Sequence, residues 1–257
     1  MFNLKTQKDM TEYQQTILGH LNKIEQEYYL QWYFILKSQY LRAAKAIESD
    51  TFNRDKFFNT YVKETKDVLS RNLKSTYEIF LNLCYETYND SHNSKSSEDI
   101  VDTKMKPWIL IYSITESSII SASTVDEIDR TLASGIHNKL PLAAIAEIVT
   151  NKANPISAIR GNRISMTESH TGMNKTLIEG VKSIGTRFRK MWISTIDDRT
   201  RGNNPSDKFN HVDVHGQVRG LTESFDVSGE KLLFPGDPFC SPGNRINCRC
   251  VISFNDY

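Results

Sequence analysis

Apolar residues in the first part of the chain recur at steps of three and four. Ile17, Leu21, Ile24, Tyr28, Trp32 and Ile35 make one face of a long helix, with Asn22, Lys23, Glu25, Gln26 and Glu27 on its solvated side. A second stripe uses Phe58, Val62, Thr65, Leu69, Leu73, Tyr77, Phe80 and Cys84. Cys84 is therefore expected to pack as a small apolar residue in a helix interface. Segment 89–98 has no aliphatic side chain and reads as a loop and subdomain boundary, with His92 solvated. Helix resumes over 105–120. Thr124 with Glu127 fits a capping box opening a new helix on Val125, Ile128 and Leu132, closed near Gly135. Pro141 fits the first turn of another helix, with Leu142, Ile145, Ile148 and Val149 inward. Asn154-Pro155 is expected to end it and Ser157 to start the last helix, which runs toward Lys182.

After Gly185 the pattern changes. Segment 187–196 alternates loosely and is rich in β-branched and aromatic residues, so it reads as a strand. Segments 223–227 and 231–234 flank Ser228-Gly229 as a hairpin. Segment 250–254 is a short apolar strand, and glycine and proline are dense from Gly202 to Gly243. A β unit of about 70 residues is small enough to need a neighbour, a metal or a staple. The expected fold is α+β: long N-terminal helices followed by a small, loop-rich C-terminal β unit. The expected division is a helical region 1–122 and a domain 123–257, with helices over 124–184 and the β unit over 186–257.

Hydrophobic content of 39% and charged content of 25% in 257 residues suit a packed core rather than a disordered chain. The formal charge of +1 excludes a globally basic binder. No apolar run approaches the roughly 20 residues of a membrane span. No apolar segment follows Lys5 and Lys8, so a soluble protein without a signal peptide is expected. Charge is uneven, however. Residues 160–201 hold nine basic and four acidic side chains, a net +5. Lys182, Arg187, Arg189 and Lys190 are thus candidates to meet DNA phosphates or an acidic partner.

Three groups could carry chemistry. Arg160, Arg163 and Thr167 fall on one helical face, with Glu168 beside them. They could dock this helix on the β unit, although spacing alone favours a solvated face. The strand ending in Asp197-Asp198-Arg199-Thr200-Arg201 gathers charge at one end. Its carboxylates could accept loop amides, hold a metal, or pair with the neighbouring arginines. Finally, Cys240, Cys248 and Cys250 crowd the C-terminus behind His211 and His215. Four cysteines in this length are no disulfide scaffold. A zinc site of His211, Cys240, Cys248 and Cys250, a disulfide such as Cys240–Cys248, or three unmodified thiols all fit the spacing. Cys248-Arg249-Cys250 can present two thiolates to one ion only if the backbone turns there.

The ordered set Arg163-Ile-Ser-Met-Thr167-Glu168, Asn174, Trp192, Asp197 to Arg201, His211, Gly216, Phe234-Pro235-Gly236-Asp237, Pro242-Gly243 and Asn247-Cys248-Arg249-Cys250 resembles the phage head-morphogenesis family, the Mu F-like minor head proteins. The resemblance covers about 124–254. It implies a structural minor capsid protein of a tailed phage or prophage. Such a protein assembles with the portal and with capsid or scaffold proteins, sits inside the virion, and in some relatives touches the packaged double-stranded DNA or leaves with it. It also implies a structural cluster of Arg163, Thr167, Glu168, Trp192, Asp197, Asp198 and Arg201, with no catalytic residue. The competing class is a metal-dependent nuclease or a transferase built on Asp197, Asp198 and His211.

Overall fold

The computed structural model describes residues 7–88, 94–185 and 187–256. Four long helices come first: α1 (Gln7–Glu48), α2 (Arg54–Tyr88), α3 (Ser94–His137) and α4 (Leu142–Ile184). Short elements follow: β1 (Phe188–Ile193), β2 (Val218–Gly220), β3 (Phe225–Val227), β4 (Glu230–Leu232), α5 (Pro242–Arg245) and β5 (Val251–Asp256). The fold is α+β, as expected.

The helices are fewer and longer than the local signals suggest. Thr124 does not open a helix; it lies in the middle of α3, where its hydroxyl donates back to the Ile120 carbonyl at 3.2 Å. Asn154-Pro155 does not break α4, which continues through Pro155. Proline removes one helical hydrogen bond, yet Ala153 and Ser157 on either side are buried, and this packing holds the helix together across the defect. Gly135 is not the terminating residue either. Helix α3 runs on to His137, and Lys139 adopts the left-handed backbone (φ 55°) that turns the chain. Residues 94–98 are helical, while 89–93, with His92, lie outside the described residues.

The chain divides into two compact units, each discontinuous in sequence and each holding a stretch of all four long helices. One comprises Met1–Ile24, Leu73–Pro107 and Met166–Tyr257; the other comprises Glu25–Asn72 and Trp108–Ser165. In the second, Tyr40, Ala43, Ala44 and Ile47 of α1 pack with Tyr61 of α2, Val125 and Ile128 of α3, and Ile145, Ala146, Val149 and Ala153 of α4. Arg160 ties α4 to α3, donating to the Thr124 hydroxyl at 2.9 Å and the Ile120 carbonyl at 3.0 Å. The apolar stripe of α1 passes from Trp32 to the buried Leu36, leaving Ile35 half-buried.

In the first unit, β1 is the centre of a three-stranded antiparallel sheet ordered β2-β1-β5, and β3 and β4 pair as a separate hairpin. Ser228 (φ 54°) and Gly229 (φ 85°) both have the positive φ that a tight two-residue turn requires. The sheet is fastened to the helical residues of its own unit through aromatic side chains. Tyr13 donates to the Ile252 carbonyl at 3.0 Å, and the Tyr88 ring meets Phe254 at 5.5 Å and Phe188 at 6.0 Å. Cys84 is fully buried against α4, its thiol 3.8 Å from the Leu177 carbonyl.

Candidate metal centre

His211, Cys248 and Cys250 come together in the interior of the first unit, their ligand atoms all within 4.8 Å of one another. Each is almost inaccessible to solvent. The two cysteines converge because the chain turns immediately before them. Asn247 has φ 57°, a left-handed conformation that asparagine tolerates better than most residues. The Cys248 amide donates to the Arg245 carbonyl at 3.1 Å, and β5 begins only at Val251. The alternation of a straight strand, which would separate the two thiols, therefore does not apply.

Helix α4 holds this turn. Thr167 accepts the Asn247 amide at 3.3 Å, and Glu168 pairs with Arg245 at 2.8 Å with both side chains nearly buried. One turn further on, His170 Nε2 lies 2.6 Å from the Cys250 carbonyl. Asn174 then accepts the Ile252 amide at 3.0 Å. Burial pushes the His170 imidazole down to about 4, so it is neutral near pH 7.

The tautomer of His211 follows from its neighbours. Glu230 is a carboxylate and can only accept, so the Asn244 amide nitrogen, 2.9 Å away, is the donor. Asn244 Oδ1 therefore faces His211 Nε2 at 3.1 Å and accepts its N–H. Nδ1 faces the two thiols, 3.6 Å from the Cys248 sulfur and 3.4 Å from the Cys250 sulfur. A tetrahedral zinc ion with Zn–S near 2.3 Å and Zn–N near 2.0 Å separates nitrogen and sulfur ligands by about 3.5 Å. The three atoms are thus spaced as three of the four ligands that a tetrahedral metal ion takes, and no fourth His, Cys or carboxylate joins them among the described residues. The thiols also differ in acidity. Burial opposes ionisation of Cys250, but other contacts, the hydrogen bond from the Cys248 thiol foremost, outweigh it and hold its pKa well below the usual value. The hydrogen bond to Cys250, together with burial, raises Cys248.

Trp192 and Ser194 form the floor. The indole is fully buried, packs edge-on to His211 at 5.6 Å and to Phe225 at 5.4 Å, and donates to Ser194 Oγ at 3.1 Å. Ser194 in turn donates to the His211 carbonyl, and its oxygen lies 3.6 Å from the Cys250 sulfur.

Several expected residues fall elsewhere. Cys240 is not in the group. The turn on Asp237 holds it, with the thiol 3.0 Å from the Asp237 carbonyl, and burial raises its pKa to about 12. All four cysteines are free thiols, so the Cys240–Cys248 disulfide is not formed. His215 is engaged by the Ser194 amide at 3.0 Å. Arg163 is exposed, and Arg160 binds α3 rather than the β unit. Asp197 accepts Arg249 at 2.6 Å and the Arg199 amide at 3.0 Å, which lowers its pKa, while Asp198 is exposed. Neither carboxylate joins His211, so the triad imagined for a nuclease is not assembled among the described residues. Arg201 is structural: it donates to the Ile246 carbonyl, and its own carbonyl receives the His211 amide at 2.8 Å.

The basic stretch also divides. Lys190 is fully buried in β1 and cannot meet DNA. Its ammonium donates to the Leu233 carbonyl at 2.7 Å and the Leu221 carbonyl at 3.3 Å, and burial lowers its pKa to about 8. Lys182 pairs with Glu179 at 3.0 Å, whereas Arg187 and Arg189 are exposed. Sequence reasoning missed His170, Asn244 and Glu230 as supports of the centre. None of the three has a spacing signal toward the cysteines.

These features define an α+β protein with a buried Cys-Cys-His centre built on a small sheet. The chain is similar to the uncharacterized protein YqbB of Bacillus subtilis (strain 168): 24% identical over 204 residues, covering 79% of this chain and 62% of that protein. The chain thus spans less than two thirds of that relative's length. No protein-family model matches the chain, and no solved structure matches it.

Proposed function

We propose that this chain is a structural minor head protein of a tailed bacteriophage or prophage, assembled beside the portal, with a zinc ion stapling its C-terminal unit. The observation that carries the reading is the convergence of Thr167, Glu168, Asn174, Trp192, His211, Asn247, Cys248 and Cys250 on one buried centre. These are residues of the ordered set that resembles the Mu F-like proteins, and their common role here is cohesion. The centre is closed to solvent, which suits a staple better than a reaction site. His211 Nδ1 and the Cys248 and Cys250 sulfurs would hold the ion. Zinc would add a cross-link between the His211 loop and the turn that carries Cys248 and Cys250. Exposed Arg187 and Arg189 remain the candidate contacts for packaged DNA or an acidic partner.

The test uses the phage or prophage that carries the gene. The protein should co-purify with the portal and with procapsids, and a clean deletion should lower the yield of infectious particles. Particles that lack the protein and titres unchanged by the deletion would refute the reading.

A further inference from the structure

His211, Cys248 and Cys250 leave a tetrahedral ion one ligand short, in a centre closed to solvent. The neighbouring imidazoles are turned elsewhere: His170 Nε2 faces the Cys250 carbonyl at 2.6 Å, and His215 Nδ1 accepts the Ser194 amide at 3.0 Å. The Trp192 indole N–H is a donor only. The remaining side chain with a lone pair beside the thiols is Ser194, which is itself 1% exposed.

The sheet places this serine. In the antiparallel ladder of β1 and β5, Ile193 pairs with Val251, so the next step along both strands sets Ser194 opposite Cys250. Its oxygen lies 3.6 Å from the Cys250 sulfur. Oxygen and sulfur ligands of a tetrahedral zinc ion, with Zn–O of about 2.1 Å and Zn–S of about 2.3 Å, are separated by about 3.6 Å. A hydroxyl has one proton to donate and two lone pairs. In Ser194 the proton goes to the His211 carbonyl, one lone pair takes the Trp192 indole N–H at 3.1 Å, and the other takes the Cys250 S–H. A cysteine must lose its proton to become a ligand. The second lone pair of Ser194 would then be a buried acceptor without a donor, beside a thiolate, and that costs free energy unless a cation fills the gap. Charge agrees. Two thiolates balance a divalent ion, so a neutral imidazole and a neutral hydroxyl complete the shell without burying a net charge.

We infer that the Ser194 hydroxyl is the fourth ligand of the ion held by His211, Cys248 and Cys250. The inference rests on the zinc reading given above and assigns the donor which that reading leaves open. The experiment is a cobalt(II) titration of the full chain under a non-thiol reductant. Cobalt takes the tetrahedral place of zinc, and each cobalt–sulfur bond adds charge-transfer absorption in the near ultraviolet. Ser194→Cys keeps the Cβ and sets a sulfur where the oxygen stands. The natural chain should show two such bonds, and Ser194→Cys should show three, with roughly one and a half times the absorption. Ser194→Ala should bind cobalt at least ~10-fold more weakly, with unchanged circular dichroism. Ser194→Cys held at the two-bond intensity, or Ser194→Ala binding as tightly as the natural chain, would overturn the inference and leave the zinc reading standing. A natural chain that takes up no cobalt would overturn both.

Discussion

The cysteine centre and the outer stretch of α3 handle polar side chains in opposite ways. Around His211 the buried polar side chains hold one another in a chain: Asn244 orients the imidazole, Glu230 orients Asn244, and Thr167 and Glu168 hold the turn that delivers the thiols. In α3 the buried serines are met unevenly: Ser117 donates back to the Ile114 carbonyl at 3.0 Å, Ser121 donates to the Thr65 hydroxyl at 3.2 Å and Ser113 has no partner, while Leu110, Ile111, Ile114 and Ile119 lie outside. The first arrangement specifies one local structure. The second specifies less. Buried polar groups are thus closely matched in one region and only partly matched in the other.

The sharpest way to break the contrast is to remove a ligand of the centre. Cys250→Ala or His211→Ala should abolish zinc binding and cost about 3–5 kcal/mol in denaturant unfolding at pH 7. A loss under 1 kcal/mol would mean the centre is no staple. Next comes the buried pair. Glu168→Ala leaves Arg245 without its carboxylate and should cost about 3 kcal/mol, whereas Glu168→Met with Arg245→Met should recover much of it in a double-mutant cycle.

Glu179 offers a test with a pH signature. It is nearly buried among Lys175, Lys182 and Lys104. Burial opposes its ionisation, but the lysines, Lys175 foremost, prevail and hold its pKa below the usual carboxylate value. A lowered folded pKa means the stabilisation is fully present above the unfolded value of about 4.3 and is lost as pH falls through the lowered one. Glu179→Gln should cost about 2 kcal/mol at pH 7. That difference from the natural protein should shrink below about pH 4, as melting curves at stepped pH would record. The smallest effect expected is at Gly180, where a Cβ would lie 2.8 Å from the Cys84 sulfur. Gly180→Ala should cost about 1–2 kcal/mol by overpacking, measured by thermal unfolding.

Periodic features were legible in the sequence. The stripe from Ile17 to Trp32 is buried, the strand over 187–196 is β1, and Ser228-Gly229 is the hairpin turn. Features set by tertiary contact were not. Pro155 reads locally as a stop, yet buried neighbours carry the helix through it. Lys190 reads as a surface cation, yet the carbonyls of Leu221 and Leu233 converge on it from segments far along the chain. At the centre, residue types pointed to His211, Cys248 and Cys250. Cys240 looked equivalent to them because spacing cannot register that the Asp237 turn already engages its thiol. Asn247, whose left-handed backbone makes the pair of thiols converge, has no local pattern that announces the turn.

The most direct measurement is the zinc content of the full chain purified without chelator, followed by unfolding before and after chelation. The account predicts about one zinc per chain, as expected for a structural site of this kind. It also predicts a clear fall in the melting temperature when the metal is removed. Zinc far below one per chain, with a melting temperature indifferent to chelator, would contradict it.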